Sequence, residues 1–229
     1  MPGLRVATYN VHGFRAGTRE IAEALAAESP DVLLLNETRY LGFRLRRLAK
    51  RMGMRFAAGA GLFRRNRIPN AVLARPPWRV VRHEVVALPR RGRTVRRGAV
   101  VAVLGRAGVR LVASAVHLGL SERERVEHAR LLTDLLAGRR EPVILGGDLN
   151  EEPDGLAAAW IAGRYWDVFA RAGEGQGTTF PATDPRARID CLFVSESISA
   201  ERAWVGGEPF VALSDHLPVF ADLAVGQAG

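Results

Sequence analysis

Residues 142–150 read Pro-Val-Ile-Leu-Gly-Gly-Asp-Leu-Asn: an apolar run that halts at two glycines and then presents a carboxylate, Asp148, and an amide, Asn150. In extended chain, side chains two apart lie on one side, so both would face a single spot at a strand end, where glycine admits a ligand close to the backbone. An Asx-rich turn after a strand would look the same. The rest of the chain separates the two readings. Asn10, Glu37, His117, Asp190 and the pair Asp215-His216 each stand just before or after another apolar run. Strands of a sheet end side by side, so these groups point to one shared site.

Glu37, Asp215 and Asn10 are hard oxygen ligands with no thiolate nearby, a set suited to Mg2+ or Mn2+ rather than zinc. A hard cation sharing a phosphate oxygen is the equipment of phosphoryl chemistry. His216, its tautomer fixed by Asp190, can accept a proton from water. Asp148 and Asn150 can hold that water in line, and His117 can donate to a non-bridging oxygen or protonate the leaving group. No covalent intermediate is required.

The elements that must position these groups alternate along the chain. Leu4–Val11 alternates as a half-buried strand. A helix follows with Thr18 as N-cap, Ile21, Ala22 and Leu25 on one face, and Ser29-Pro30 as its stop. Asp31–Leu35 is a solid apolar run, expected of a strand covered on both faces. A basic helix runs from Leu41 to about Met52. Short strands are expected at Arg55–Ala58, Asn70–Ala74, Arg79–Leu88, Arg97–Leu104 and Val109–Val116. Ser121 and Glu124 form a capping box for a helix with Val126, Ala129, Leu132 and Leu136 inward and Gly138 as C′ residue. After the Val143–Leu145 strand come a helix at Leu156–Ala162, a loop over 171–187, and strands at Arg188–Val194, Arg202–Val205 and Val219–Leu223. Strands dominate with helices interspersed, which points to sheets covered by helices.

At 229 residues and 25.0 kDa, 48% hydrophobic and 25% charged, the chain suits one globular domain spanning residues 1–229, expected to be monomeric. No apolar run is long enough to span a bilayer, and the early strand leaves no room for a secretory leader, so a cytoplasmic location is expected. The single cysteine, Cys191, excludes an internal disulfide and a cysteine-based zinc site and is expected to be a buried small residue. The net charge of +9 favours an anionic partner. Arginine clusters stand at residues 44–47, 64–67 and 90–97, positions equally open to solvated faces and hairpin tips. His12 reads as a structural neighbour of Asn10. His83 and His128 are expected at the surface, the four tryptophans in packing, and Glu151-Glu152 as a cap for the next turn.

Six pieces carry a resemblance: Thr8-Tyr9-Asn10-Val11, Leu34-Leu35-Asn36-Glu37-Thr38, Val116-His117-Leu118, Gly147-Asp148-Leu149-Asn150, Arg188-Ile189-Asp190 and Ser214-Asp215-His216-Leu217-Pro218. In this order they resemble the endonuclease/exonuclease/phosphatase superfamily, with the fold of deoxyribonuclease I and exonuclease III, over residues 6–223. The resemblance implies a four-layer α/β sandwich: two mainly antiparallel β-sheets packed face to face, helices outside. It also implies a divalent-metal (Mg2+ or Mn2+) phosphoesterase with its site at one edge. Glu37 would be the principal metal ligand, with Asn10 and Asp215. Asp148 and Asn150 would orient the nucleophile and grip the phosphate, His216 with Asp190 would form the histidine–carboxylate pair, and His117 would hold the scissile phosphate. Arg39, two residues past the metal glutamate, matches a nucleic-acid contact of deoxyribonuclease-like members, and Asn70 would orient His117. Two departures stand out. Asn36 replaces the usual glutamine, so a hydrogen bond could become water-mediated. His117 replaces the tyrosine of abasic-site endonucleases, which argues against that branch.

The favoured reading is a metal-dependent nuclease acting on DNA or RNA, because of the net charge, Arg39 and the arginine clusters. The alternative is a phosphodiesterase or phosphatase on phospholipid head groups or phosphorylated small molecules, with Leu62-Phe63 beside arginines as the one apolar tip that could meet lipid. A non-catalytic nucleic-acid-binding module is a third reading, opposed by the intact set Glu37, Asp148, Asn150, Asp190 and His216. No P-loop, Gly-x-Ser-x-Gly elbow or zinc-type cluster supports another enzyme class.

Overall fold

The structure is a computed structural model that describes residues 3–39, 42–59, 68–92 and 95–226. The expected cluster at residues 64–67, the Leu62-Phe63 tip, Leu41 and Arg93 lie outside the described residues.

Two six-stranded sheets face each other. The first is ordered β11 (Ile198–Val205), β12 (Val219–Val225), β1 (Gly3–Asn10), β2 (Val32–Asn36), β4 (Ala71–Ala74), β3 (Arg55–Ala58). The second is ordered β5 (Arg79–Ala87), β6 (Gly98–Arg106), β7 (Val109–His117), β8 (Val143–Asp148), β10 (Asp190–Val194), β9 (Trp166–Asp167). Each sheet has one parallel pair at its centre, β1–β2 and β7–β8, and antiparallel pairs to either side. A parallel pair needs a crossover, and here it is a helix each time: α1 (Thr18–Glu28) between β1 and β2, α3 (Glu122–Ala137) between β7 and β8. Those helices, with α2 (Phe43–Met52) and α4 (Leu156–Ala162), form the two outer layers.

Strand alternation fills three cores. Leu4, Val6, Val32, Leu34, Ala113, Ala115 and Leu192 point between the sheets. Tyr9, Leu33 and Leu35 point outward under α1 and α2, and Val112, Val116 and Leu145 under α3 and α4. All five residues of β2 are buried, as its unbroken apolar run requires. At Gly146 a Cβ would sit 2.8 Å from Leu34 Cδ1 of the facing sheet, and at Gly147 only 1.8 Å from the Val116 carbonyl oxygen of β7. The two glycines therefore let β8 approach both the facing sheet and β7.

Ser121 caps α3 as expected, its Oγ accepting from the Glu124 N–H. Three local expectations give way. Gly17, not Thr18, is the N-cap of α1, and Gly138 ends α3 with φ −77°, so no left-handed C′ turn forms. The region after Tyr165 holds β9 and α5 (Val168–Ala172), elements of two and five residues that are too short to show a period in the sequence. His128 is buried, not at the surface: Nδ1 accepts from the Gly119 N–H at 3.2 Å and Nε2 lies 2.6 Å from the Pro89 carbonyl. A helix placing one polar ring inward beside two loop backbones gives no periodic signal. Among the described residues no helix is long and apolar enough to cross a membrane.

Candidate active site

The two central parallel pairs end at the same edge of the sandwich, with Asn10 opposite Asn36 in one sheet and His117 opposite Asp148 in the other. Asn36 ties the two ends together. It is fully buried; its Nδ2 donates to the Val116 carbonyl at 2.8 Å and its Oδ1 accepts from the Asp148 N–H at 3.1 Å. The shorter amide thus bonds the facing sheet directly, and the expectation of a water-mediated contact is corrected.

Around this tie lies a chain of buried polar groups. Asp148 Oδ2 accepts from Asn10 Nδ2 at 3.0 Å, faces His117 Nε2 at 3.1 Å and lies 3.8 Å from His216 Nε2. The other face of His216 meets Asp190, Nδ1 to Oδ2 at 2.8 Å, and Asp190 Oδ2 also accepts from the Thr179 hydroxyl at 2.8 Å. Phe180 covers the His216 ring with centroids 4.8 Å apart. The order in space is Asp190, His216, Asp148, His117, each no more than 6% exposed. Thr179 lies in the polar loop read only as a connection, and no sequence spacing marks it.

Charges this deep persist only in company. Burial drives the Asp148 carboxyl up, but the imidazoles of His117 and His216 and the Asn10 amide outweigh it and hold it well below the ordinary carboxylate range. Burial alone would lower His216; the carboxylates of Asp190 and Asp148 outweigh it and carry the ring up to about 9. Burial lifts Asp190, against the pull of the same ring. One proton is therefore held on the His216–Asp190 pair at neutral pH, while Asp148 stays ionised beside it.

Asn150 sits at φ 53°, a left-handed conformation that asparagine tolerates, and its N–H donates to Asp148 Oδ1 at 3.0 Å. The i, i+2 reasoning fails here, because the strand ends at Asp148 and an Asx turn follows. The Asn150 side chain instead bonds the Leu118 carbonyl at 3.1 Å. Asn70 is fully buried, its Nδ2 donating to the Gly98 and Ala115 carbonyls at 2.8 and 3.3 Å rather than to His117. The group against the His117 ring is Arg97, with Nη1 2.8 Å from Nδ1.

Beside the chain of buried groups opens a cleft of about 320 Å3, lined by His12, Arg15, Glu37, Arg39, Pro69 and Arg97 among others. Four of those six side chains are basic or histidine, and among the described residues Glu37 is the one carboxylate in the lining. Arg39 Nε donates to the Gly13 carbonyl at 3.1 Å, which folds the guanidinium over the loop after β1. His12, read from sequence as structural, faces Asp215 with Nδ1 to Oδ1 at 3.1 Å. Its position two residues beyond Asn10 was the available signal. Of the seven non-glycine residues with positive φ among the described residues, His12, Phe14, Glu37, Arg39 and Asn150 cluster here. Backbone strain concentrated at one edge marks a functional place.

Two sets of groups can be tested as metal ligands. The ligand atoms of Asp148, Asp190 and His216 lie within 4.8 Å of one another. Three of their four carboxylate oxygens already accept hydrogen bonds, leaving Asp190 Oδ1 as a buried oxygen without a partner. Glu37 is half-buried in the cleft with no donor on its carboxylate among the described residues. Asn10 Oδ1 accepts from the His12 N–H, and the Asp215 carboxylate is 43% exposed. Of the second set, Glu37 keeps open oxygen lone pairs in the cleft lining and Asp215 is partly exposed, while Asn10 is buried beside them at 2% exposure; these hard oxygens fit a divalent cation.

This architecture, two facing sheets with helices outside and a polar edge site, is the deoxyribonuclease I-like α/β sandwich. The profile of the Endonuclease/Exonuclease/phosphatase family matches residues 7–216, and the chain belongs to that family, as a hydrolase of phosphoester bonds. An uncharacterized protein of Escherichia coli (strain K12), YbhP, is 25% identical over 249 residues, covering 96% of each chain. The mannosyl-6-phosphatase of Bacteroides thetaiotaomicron VPI-5482 shares the fold with a TM-score of 0.83 at 20% identity, over 96% of this chain and 99% of that one. D. rerio TDP2 complexed with single strand DNA product does so with a TM-score of 0.80 at 17% identity, over 98% and 100%.

Proposed function

We propose that the chain is a divalent-metal-dependent phosphodiesterase that cleaves nucleic acid with water as nucleophile. The observation that carries this reading is the basic cleft: His12, Arg15, Arg39 and Arg97 surround Glu37 directly beside the buried Asp148 and its two histidines. Mg2+ or Mn2+ held by Glu37, Asn10 and Asp215 would supply positive charge to the phosphate. Asp148, ionised and fixed by Asn10 and the Asn150 N–H, orients the attacking water and accepts its hydrogen bond. His216, carrying its proton at neutral pH, offers Nε2–H to the charge that develops on phosphate, while Asp190 and Thr179 hold the ring. His117, set by Arg97 and Asp148, faces a non-bridging oxygen or the leaving group. Arg39 and Arg15 take the flanking phosphates. One modification of the sequence reading follows: Asp148, rather than His216, carries the free lone pair for water.

A second reading, hydrolysis of a phosphorylated small molecule, is favoured by the size of the cleft, which lies at the lower end for a small-ligand site. The likeness to a mannosyl-6-phosphatase is compatible with it. Nicking of supercoiled plasmid with Mg2+, compared with EDTA and with His216→Ala, tests the first reading. Metal-dependent nicking absent from the variant supports it. A folded protein that nicks nothing but turns over a sugar phosphate replaces it with the second.

A further inference from the structure

At the other end of the sandwich lies a larger groove, of about 920 Å3, between α2 and the two edge strands β3 and β5. Arg46 and Lys50 of α2 and Arg55 of β3 line it together with Arg79 and Arg82 of β5. Among the described residues no carboxylate lines it. Arg46, Lys50, Arg55 and Arg79 form no ion pair among the described residues, while Arg82 is 3.7 Å from Glu141. Phe56 and Val80 contribute apolar floor. The helix itself carries Arg44, Arg46, Arg47, Lys50 and Arg51 with no acidic residue. Arg46 and Lys50, and Arg47 and Arg51, stand one turn apart, where like charges repel. Charged edge strands do protect sheets from pairing with one another, but carboxylates and isolated lysines serve that purpose as well. Five cations of one sign in a single concavity call for an anion.

We propose that this groove is an exosite for the sugar–phosphate backbone of a nucleic acid strand whose scissile bond lies at the catalytic edge; the proposal rests on the nuclease reading above. Strand register sets the distance. Ala87 pairs with Gly98, and Gly98 with His117, so the end of β5 is at the catalytic edge. His83 and Arg79 lie four and eight residues back along β5, about 13 and 26 Å at strand rise. That span corresponds to about four to eight nucleotides at the stacked spacing of about 3.4 Å along one strand. The apolar floor with Phe56 gives a base a surface to stack on. Long strands then bind through both places, and short ones through the catalytic cleft alone.

The test is anisotropy of fluorescein-labelled oligothymidylates of about 20 and about 4 nucleotides in EDTA, from about 50 to about 300 mM NaCl, with wild type and Arg55→Gln/Arg79→Gln. Both side chains are exposed, and circular dichroism checks that the variant folds. The expected result is weaker binding of the long strand, with a log–log salt slope shallower by about 1.4, at about 0.7 per lost phosphate contact, and unchanged binding of the short one. Arg55→Lys/Arg79→Lys should restore the slope. An unchanged affinity and slope in the folded glutamine variant overturns the exosite. So does a variant that loses phosphatidylglycerol vesicles but not the long strand. Plasmid nicking separates the two readings: groove-dependent binding without nicking refutes the nuclease and keeps the groove, and nicking with groove-independent binding does the reverse.

Discussion

Replacing Asn36 by leucine removes two bonds that cross between the sheets and leaves the side chain's length. The Asp148 N–H, buried and bonded to Asn36 Oδ1, then has no acceptor, and the Val116 carbonyl loses a donor. An orphaned buried donor costs about 1–3 kcal/mol, and a carbonyl with its two lone pairs adds less. The expected loss is about 2–4 kcal/mol, set against the total stability of about 5–15 kcal/mol usual for a folded chain. In urea, with a slope of about 2–3 kcal/mol/M, the midpoint falls by about 1 M. Asn36→Gln keeps both amide ends but adds a methylene to a close-packed place, for about 1–3 kcal/mol. Turnover should fall further in the leucine variant, because Asp148 loses the bond that fixes its backbone. A leucine variant within about 0.5 kcal/mol of wild type, with undiminished turnover, would refute the inter-sheet tie as a determinant of the site.

Other outcomes follow from the same geometry. Glu37→Gln should leave stability in EDTA within about 0.5 kcal/mol, since no protein donor meets the carboxylate, yet abolish any rise in Tm on adding Mg2+ or Mn2+ and cut turnover about 100-fold or more; a variant that keeps the metal-induced rise places the ion elsewhere. His216 is raised from 6.5 to about 9 in the folded chain, so its contribution is complete below about pH 6.5 and is lost as pH rises towards 9. That rise is worth on the order of 3 kcal/mol. Denaturation of metal-free protein between about pH 6 and 10 should show that decline in wild type and a flatter profile in His216→Gln, and parallel profiles would sink the assignment.

The layers of the fold and the strand ends that carry the polar groups were legible in the order of residues alone. The strand at Leu4–Val11, the unbroken run in Asp31–Leu35 and the capping box at Ser121 are local physics and appear where expected. The first strand, however, is buried on both faces from Val6 on rather than half-buried, because a sheet and a helix layer cover it. The polar residues at strand ends were legible because strand termini converge whatever their order in the chain. Cys191 is buried as its strand required, and Glu151 caps the next helix, its Oε1 accepting from the Ala157 and Ala158 N–H groups at 2.6 and 2.8 Å. Pairings without a sequence period were decided by tertiary structure alone. Thr179 reaches Asp190 from a loop, Arg97 reaches His117 from the residue before the adjacent strand β6, and His12 turns to Asp215 through a residue of positive φ. The protonation order of Asp148 and His216 also lay beyond the sequence. It follows from which carboxylate faces two imidazoles and which faces one, and that is fixed only when two sheets meet.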